Sequence, residues 1–455
     1  MSRLNRRRPG GWLTTDHEVI RKWVLKLKAK AAGTDPADYV APIQQLQAMV
    51  ANNPVLAAST QAMFVEALAY SQTQPTGAPA VTSWNEFLGL LNVIMTTSPE
   101  FIVDSGSDEA QGLVGFPINA LLDWPMGTAA GSLTFSNPQF NAYFKAVLDY
   151  WGTFLCAPAS RYVLAEGDPT SDPQSIAWLS APAQAQMVAV AQQPFANPPS
   201  GQTFVDIFDV PNPNDPTYLG FESWDNFFTR QFKAGQRPVG EAEIVNACES
   251  APLQYQTGVA LSANIWLKGQ PYSLNDMLDN DPLAQQFAGG TVYQAFLSAL
   301  SYHRWHSPVD GVIEKAYVVD GSYYLESPAE GIYSPDPDPS APNASQPFIS
   351  SVATRAVIFI RANDPAIGLI AMVPVGMAEV SSCEITVVPG QSVSRGDQIG
   401  MFHFGGSTHC LVFQPGVELE FQVPVTNAPN LDATNVAVKS NLAVVKSSRT
   451  GKMHR

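Results

Sequence analysis

The spacing of apolar residues changes period part-way along this chain, and that change limits what it can fold into. Before about residue 200, "VIRKWVLKLKAKAA", "PIQQLQAMVANNPVLAASTQAMFVEALAYS", "SWNEFLGLLNVIM" and "NAYFKAVLDYWGTFL" place apolar residues three and four apart. That spacing gives a helix one apolar face. From Ile244 onward, "GVIEKAYVVDGSYY", "RAVIFIRAN", "GLIAMVPVGMAEVSSCEITVV" and "GVELEFQVPV" are rich in β-branched and aromatic residues, as strands are. The fold class expected is α+β. A helical N-terminal domain over residues 1–200 is followed by a Pro-, Asn- and Asp-rich linker over 201–220. A mainly β domain over 221–455, with a barrel-sandwich-like C-terminal part, completes the chain. Residues 327–347, "SPAEGIYSPDPDPSAPNASQP", hold too many prolines for a central strand and read as an extended loop, a candidate lid.

The chain has 455 residues and 45% hydrophobic content, enough for a sizeable core. Its 40 acidic against 25 basic residues give a formal charge of −15, which repels nucleic acid and anionic membranes and argues against both as partners. The basic start "MSRLNRRRPGGWL" has no apolar run behind it, so no secretory signal is read there. No stretch reaches the roughly 18 to 20 apolar residues that cross a bilayer. The expectation is a soluble, cytoplasmic protein. Cys156, Cys248, Cys383 and Cys410 are far apart without CxxC spacing, and read as buried free thiols. "Asn-Ala-Ser" at 343–345 is a formal sequon read as plain loop sequence.

Of the six histidines, four fall in two tight sets, His303 and His306 in "YHRWHSPVDG", and His403 and His409 in "MFHFGGSTHC". His17 and His454 sit near the termini and read as solvent-exposed. "HRWH" alone fits either a helical metal pair or two satisfied polar groups beside a core tryptophan. No third zinc ligand or HExxH acid accompanies it, so no metal is assigned. "GGST" alone reads as a flexible turn, and it fits neither a phosphate-cradling loop nor a GxSxG elbow.

The ordered set is more informative than its parts. "FFTRQFKAGQRP" (227–238), "ACES" (247–250), "LKGQPYSLNDML" (267–278), "YHRWHSPVDG" (302–311), "VGMAEVSSCE" (375–384) and "GMFHFGGST" (400–408) resemble the phosphatidylserine decarboxylase family of pyruvoyl enzymes. The helical half, with "GWL", "WGTFL" and "SRYVL", resembles the added domain of its soluble fungal branch, which includes L-tryptophan decarboxylases.

The resemblance implies self-cleavage between Gly406 and Ser407. Glycine there suits a strained backbone and an open carbonyl. Ser407 Oγ is the implied nucleophile and His306 its base, since a serine hydroxyl needs a base and the base an orienting group. The family's orienting acid falls at Glu249, with Asp310 as the substitute. Elimination from the resulting ester and hydrolysis then leave a pyruvoyl group at position 407. That carbonyl condenses with the substrate's amine as a Schiff base and acts as electron sink without pyridoxal phosphate. His303 is the implied proton donor to the carbanion. Gly405 and Thr408 support the site, Thr408 either holding the scissile carbonyl or capping a turn. Trp305 and Tyr302 read as packing residues, His403 as a strand residue facing outward, and His409 as pocket lining or incidental.

With no apolar anchor and strong negative charge, the substrate expected is an amino acid, tryptophan first among the aromatic ones, bound in an apolar pocket. The implied products are an amine and CO2, and the cleavage chains 1–406 and 407–455 stay associated. Oligomerisation is left open. Phosphatidylserine is the alternative substrate. An uncleaved serine hydrolase built on Ser407 and His306, and a non-catalytic binding module, are the more remote readings.

Overall fold

In the computed structural model, residues 17–71, 81–103, 115–168, 170–333, 343–380 and 382–446 are described. The Arg-rich start, His454 and residues 334–342 of the proline-rich loop lie outside them. The N-terminal half is helical, with α1 His17–Ala31, α2 Ala41–Ala51, α3 Pro54–Ser71, α4 Trp84–Ile94, α5 Pro117–Leu122, α6 Ala129–Phe135, α7 Pro138–Leu155, α8 Tyr162–Ala165 and α9 Ala181–Gln192. A small ribbon pairs β1 Phe101–Val103 with β2 Gln174–Ile176.

The sequence explains these helices locally. At α7 the Asn137 side chain accepts the Phe140 N–H at 3.0 Å, Pro138 occupies the first turn, and an orphan donor is thereby satisfied. Its buried residues Phe140, Phe144, Val147, Leu148, Trp151 and Leu155 recur at helical spacing, so one face meets the core. The first half of the expected linker carries regular structure, while residues 211–217 are mostly exposed. Thr203 and Asp206 form a capping box for α10 Phe204–Ile207, and β3 Phe208–Asp209 pairs with β4 Gln231–Phe232. Between them lies α11 Trp224–Phe228.

The remaining strands are β5 Ile244–Val245, β6 Ala251–Thr257, β7 Thr291–Leu297, β8 Arg304–His306, β9 Gly311–Val319, β10 Arg355–Ala362, β11 Leu369–Met377, β12 Cys383–Ile385, β13 Ser392–Val393, β14 Gln398–Phe402, β15 Gly406–Phe413, β16 Leu419–Phe421 and β17 Asn441–Val445. They build an antiparallel sheet ordered β13-β9-β10-β11-β15-β7-β6 and two three-stranded sheets, β12-β14-β8 and β16-β17-β5. Every residue of β7, β11 and β15 is buried, which explains why β11 reads as a continuous apolar run.

Three layers result. One face of the large sheet, with Val373, Val375, Cys410 and Val412, shares a single core with the helices from Val19 onward. The other face, with Leu297, Ile358, Met372 and Leu411, packs on Trp305, Ile399, Phe402 and Leu442 of the small sheets. The α+β expectation holds. The barrel-like part is a stack of open sheets, and the described strands close no barrel. Cys248, Cys383 and Cys410 are buried as expected, whereas Cys156 is exposed, because it caps the end of α7. No described helix is long and apolar enough to cross a membrane.

Candidate active site

Gly406 and Ser407 open β15, the strand between β11 and β7. Gly406 pairs with Met377, and Ser407 with Gly376 and Leu297. The "GGST" segment is therefore the start of a central strand, not a flexible turn, because both neighbours satisfy its backbone. Ser407 is fully buried, and its Oγ has no hydrogen-bond partner among the described residues. A buried hydroxyl with no partner calls for an explanation beyond packing.

The two glycines are required for different reasons. Gly405 has φ 137°, a conformation that favours glycine. The left-handed backbone is thus at Gly405, while Gly406, the residue expected to carry backbone strain, opens strand β15. At Gly406 the constraint is space, since a Cβ there would lie 2.1 Å from Cζ of Phe116. Phe116 immediately precedes α5, so the helical half reaches Gly406.

The sheet brings His303 toward this segment, while His306, paired with Gln398 further down β14, makes its contacts with Tyr302 and Gly396. The Phe402 N–H donates to the His303 carbonyl at 3.0 Å, and β8 pairs with β14, the strand leading to Gly406. The His303 ring stacks on Phe228 at 4.1 Å, and Phe228 meets Phe404 at 5.4 Å. Burial, and then the Arg230 cation, hold the His303 imidazole well below its usual range. Arg230 is itself buried, and its Nη2 donates to the Leu300 carbonyl at 2.9 Å.

His306 Nδ1 lies 2.8 Å from the Gly396 carbonyl, which can only accept, so this nitrogen carries the hydrogen. Nε2 is then the acceptor, and the Tyr302 hydroxyl donates to it at 2.9 Å. Burial pushes His306 down to about 3, so it stands neutral. No hydrogen bond joins it to Ser407 in this arrangement, because Tyr302 occupies Nε2.

Glu249 is held elsewhere. It accepts from Arg237 Nε at 2.9 Å and Nη2 at 2.7 Å, and from the Val438 N–H at 2.9 Å. Asp310 accepts from the Arg395 backbone N–H at 2.8 Å and its Nε at 3.1 Å. The Gly396 carbonyl, not either carboxylate, orients His306. Thr408 Oγ1 donates to the Ala295 carbonyl at 2.9 Å, fixing β15 to β7 rather than capping a turn.

His409 is buried beside Tyr293, ring centroids 6.0 Å apart, and burial pushes it down to about 3. His403 sits between Asp225, at 2.9 Å, and Glu384, at 3.0 Å. The Asp225 hydrogen bond raises it to about 9, so it is an ion-pair clamp beside the cleavage segment. Sequence reading missed Phe116, Arg230 and the hydroxyl of Tyr302. It also missed Glu379, whose one signal was a carboxylate at the end of an apolar run.

The profile of the phosphatidylserine decarboxylase family matches residues 224–435, and a second one described for the same enzyme matches residues 40–187. Decarboxylase iboD of Amanita muscaria is 37% identical over 367 residues, 78% of this chain and 100% of that protein. L-tryptophan decarboxylase of Psilocybe cubensis is 33% identical over 414 residues, 88% of this chain and 87% of its own length. Phosphatidylserine decarboxylase proenzyme 3 of Schizosaccharomyces pombe is 29% identical over 219 residues, 47% of this chain and 21% of that protein.

Proposed function

This chain belongs to the phosphatidylserine decarboxylase family and is a carboxy-lyase, and we propose that it cleaves itself between Gly406 and Ser407 and then decarboxylates an aromatic L-amino acid, tryptophan first. The observation carrying this reading is one of coverage. Likeness to L-tryptophan decarboxylase extends over 88% of the chain, helical half included, whereas likeness to the Schizosaccharomyces phosphatidylserine decarboxylase covers 47%.

Self-cleavage begins with Ser407 Oγ. Its proton passes to His306 Nε2, from which the Tyr302 hydroxyl must first withdraw, and Oγ attacks the Gly406 carbonyl carbon. The peptide C–N bond breaks, the proton returns to the Ser407 nitrogen, and an ester replaces the amide. Loss of the Ser407 α-proton then expels the Gly406 carboxylate and leaves a dehydroalanine. Water adds and ammonia leaves, converting it to the pyruvoyl group. Glu249 acts at one remove, through Arg237 and the Val438 backbone that it anchors.

The pyruvoyl ketone supplies an electron sink for the carbanion left by CO2. Around it, this chain's residues exclude water and move one proton. Trp151, Trp224 and Phe228 pack edge-on to Phe404 at 5.2 to 5.8 Å and close the site to solvent. His303 is the proton donor. An arriving substrate carboxylate opposes the Arg230 cation and so raises His303 toward its protonated form. Residues 407–455 remain bound after cleavage because β15 lies between β11 and β7 in the large sheet.

The test incubates purified protein with L-tryptophan and, separately, with phosphatidylserine vesicles, with Ser407→Ala as control. Tryptamine and CO2 from tryptophan, absent in the control, are expected. Consumption of phosphatidylserine with no amine formed from tryptophan contradicts the assignment.

A further inference from the structure

Glu379 has no part in the chemistry above, yet it stands against the cleavage segment. It lies two residues beyond Met377, the partner of Gly406, and the chain reaches it through Ala378 at φ 54°. A Cβ on Gly405 would lie 2.7 Å from the Val380 nitrogen and 3.1 Å from the Glu379 carbonyl carbon. Gly405, Gly406, Phe116 and Glu379 therefore form one contiguous cluster.

The carboxyl is only half satisfied. Oε1 accepts the Ile118 and Asn119 N–H groups at 2.8 and 2.9 Å, so the segment after Phe116 fixes its orientation. Oε2 is buried and has no hydrogen-bond partner among the described residues. Leaving such an atom unmet is unfavourable. The neighbourhood is aromatic. Phe116 covers Gly406, and Tyr324, whose own hydroxyl is buried and unmatched, senses the Glu379 charge and packs on Phe135 and Phe144.

We propose that Glu379 is the specificity-determining residue of this site, its free oxygen accepting the ring N–H of an aromatic amino-acid side chain packed against Phe116. This rests on the amino-acid decarboxylase reading. Burial pushes the carboxyl up to about 8 against the opposing backbone N–H groups of Asn119, Glu379 itself and Ile118, and a further N–H donor on Oε2 is the interaction that holds it ionised in the complex. An indole brings both an aromatic face for these rings and an N–H for the unmet acceptor, whereas a phenyl ring leaves Oε2 unmet.

The test compares three substrates on the cleaved wild-type enzyme: L-tryptophan, L-phenylalanine, and benzothienyl-L-alanine, which has tryptophan's shape with sulfur in place of N–H. Tryptophan should exceed benzothienylalanine in kcat/KM by about 10- to 100-fold, the loss typical of an unpaired buried group. In Glu379→Gln the amide keeps its oxygen toward Ile118 and Asn119 and turns its NH2 toward the ligand. Tryptophan should then fall by a similar factor, while phenylalanine changes less than about threefold. Equal wild-type rates for tryptophan and its sulfur analogue overturn the role of Glu379, as does a parallel loss of tryptophan and phenylalanine in the variant. Turnover of none of the three overturns the amino-acid reading itself.

Discussion

Replacing Gly406 by alanine tests whether the scissile residue is glycine for space. The added Cβ would lie 2.1 Å from Phe116 Cζ and about 3 Å from both flanking ring carbons, at least an ångström inside ordinary contact at the closest point. Phe116 is fully buried and precedes a helix that Glu379 anchors, so the ring cannot swing into solvent. Overpacking of this kind costs about 1–3 kcal/mol. Here the displacement falls on the peptide that must be attacked, so cleavage should slow by about 5- to 160-fold. The assay follows conversion of full-length chain to two chains on denaturing gels after synthesis. Phe116→Leu removes Cζ, and combined with Gly406→Ala it should recover cleavage to within about threefold of Phe116→Leu alone. Equal slowing by Gly406→Ala in both backgrounds would refute the steric account and return the explanation to backbone conformation.

Three further outcomes are expected. His303→Ala should cleave normally yet release no CO2, checked by gel and by amine formation; loss of cleavage would move His303 into the first reaction. Tyr302→Phe frees His306 Nε2 and should cleave at least as fast as wild type in the same gel time course, whereas a loss beyond about a hundredfold, some 2.7 kcal/mol, would make the hydroxyl an obligatory relay. His403, raised to about 9 by Asp225, holds its proton more tightly folded than unfolded, so its stabilisation is complete below about pH 6.5 and disappears as pH rises through 9. The Tm should therefore fall between pH 7 and 10 more steeply in wild type than in His403→Gln, and parallel curves would contradict this.

The sequence was legible where local pattern sets structure. The spacing of Phe140, Phe144 and Trp151 predicts α7, and the apolar runs around Ile358 and Met372 predict the buried strands of the large sheet. Motif order singled out Gly406, Ser407, His303 and His306 as candidates. What stayed hidden was pairing across the chain. Phe116 meets Gly406 and Glu379 meets Ile118 across more than 250 residues, and no local pattern encodes such contacts. Glu249 and Asp310 looked equally available to His306 because a carboxylate's partner, here Arg237 or Arg395, is chosen by tertiary packing. "GGST" looked like a turn because two glycines carry no strand propensity, yet neighbours on both sides draw Gly406 into β15.

The most direct measurement is the intact mass of the purified protein before and after borohydride treatment. The account predicts two chains, the smaller comprising residues 407–455 with a blocked, reducible N-terminus that gains two hydrogens on reduction, and no such species in Ser407→Ala. A single stable chain of 455 residues whose mass borohydride leaves unchanged would contradict it.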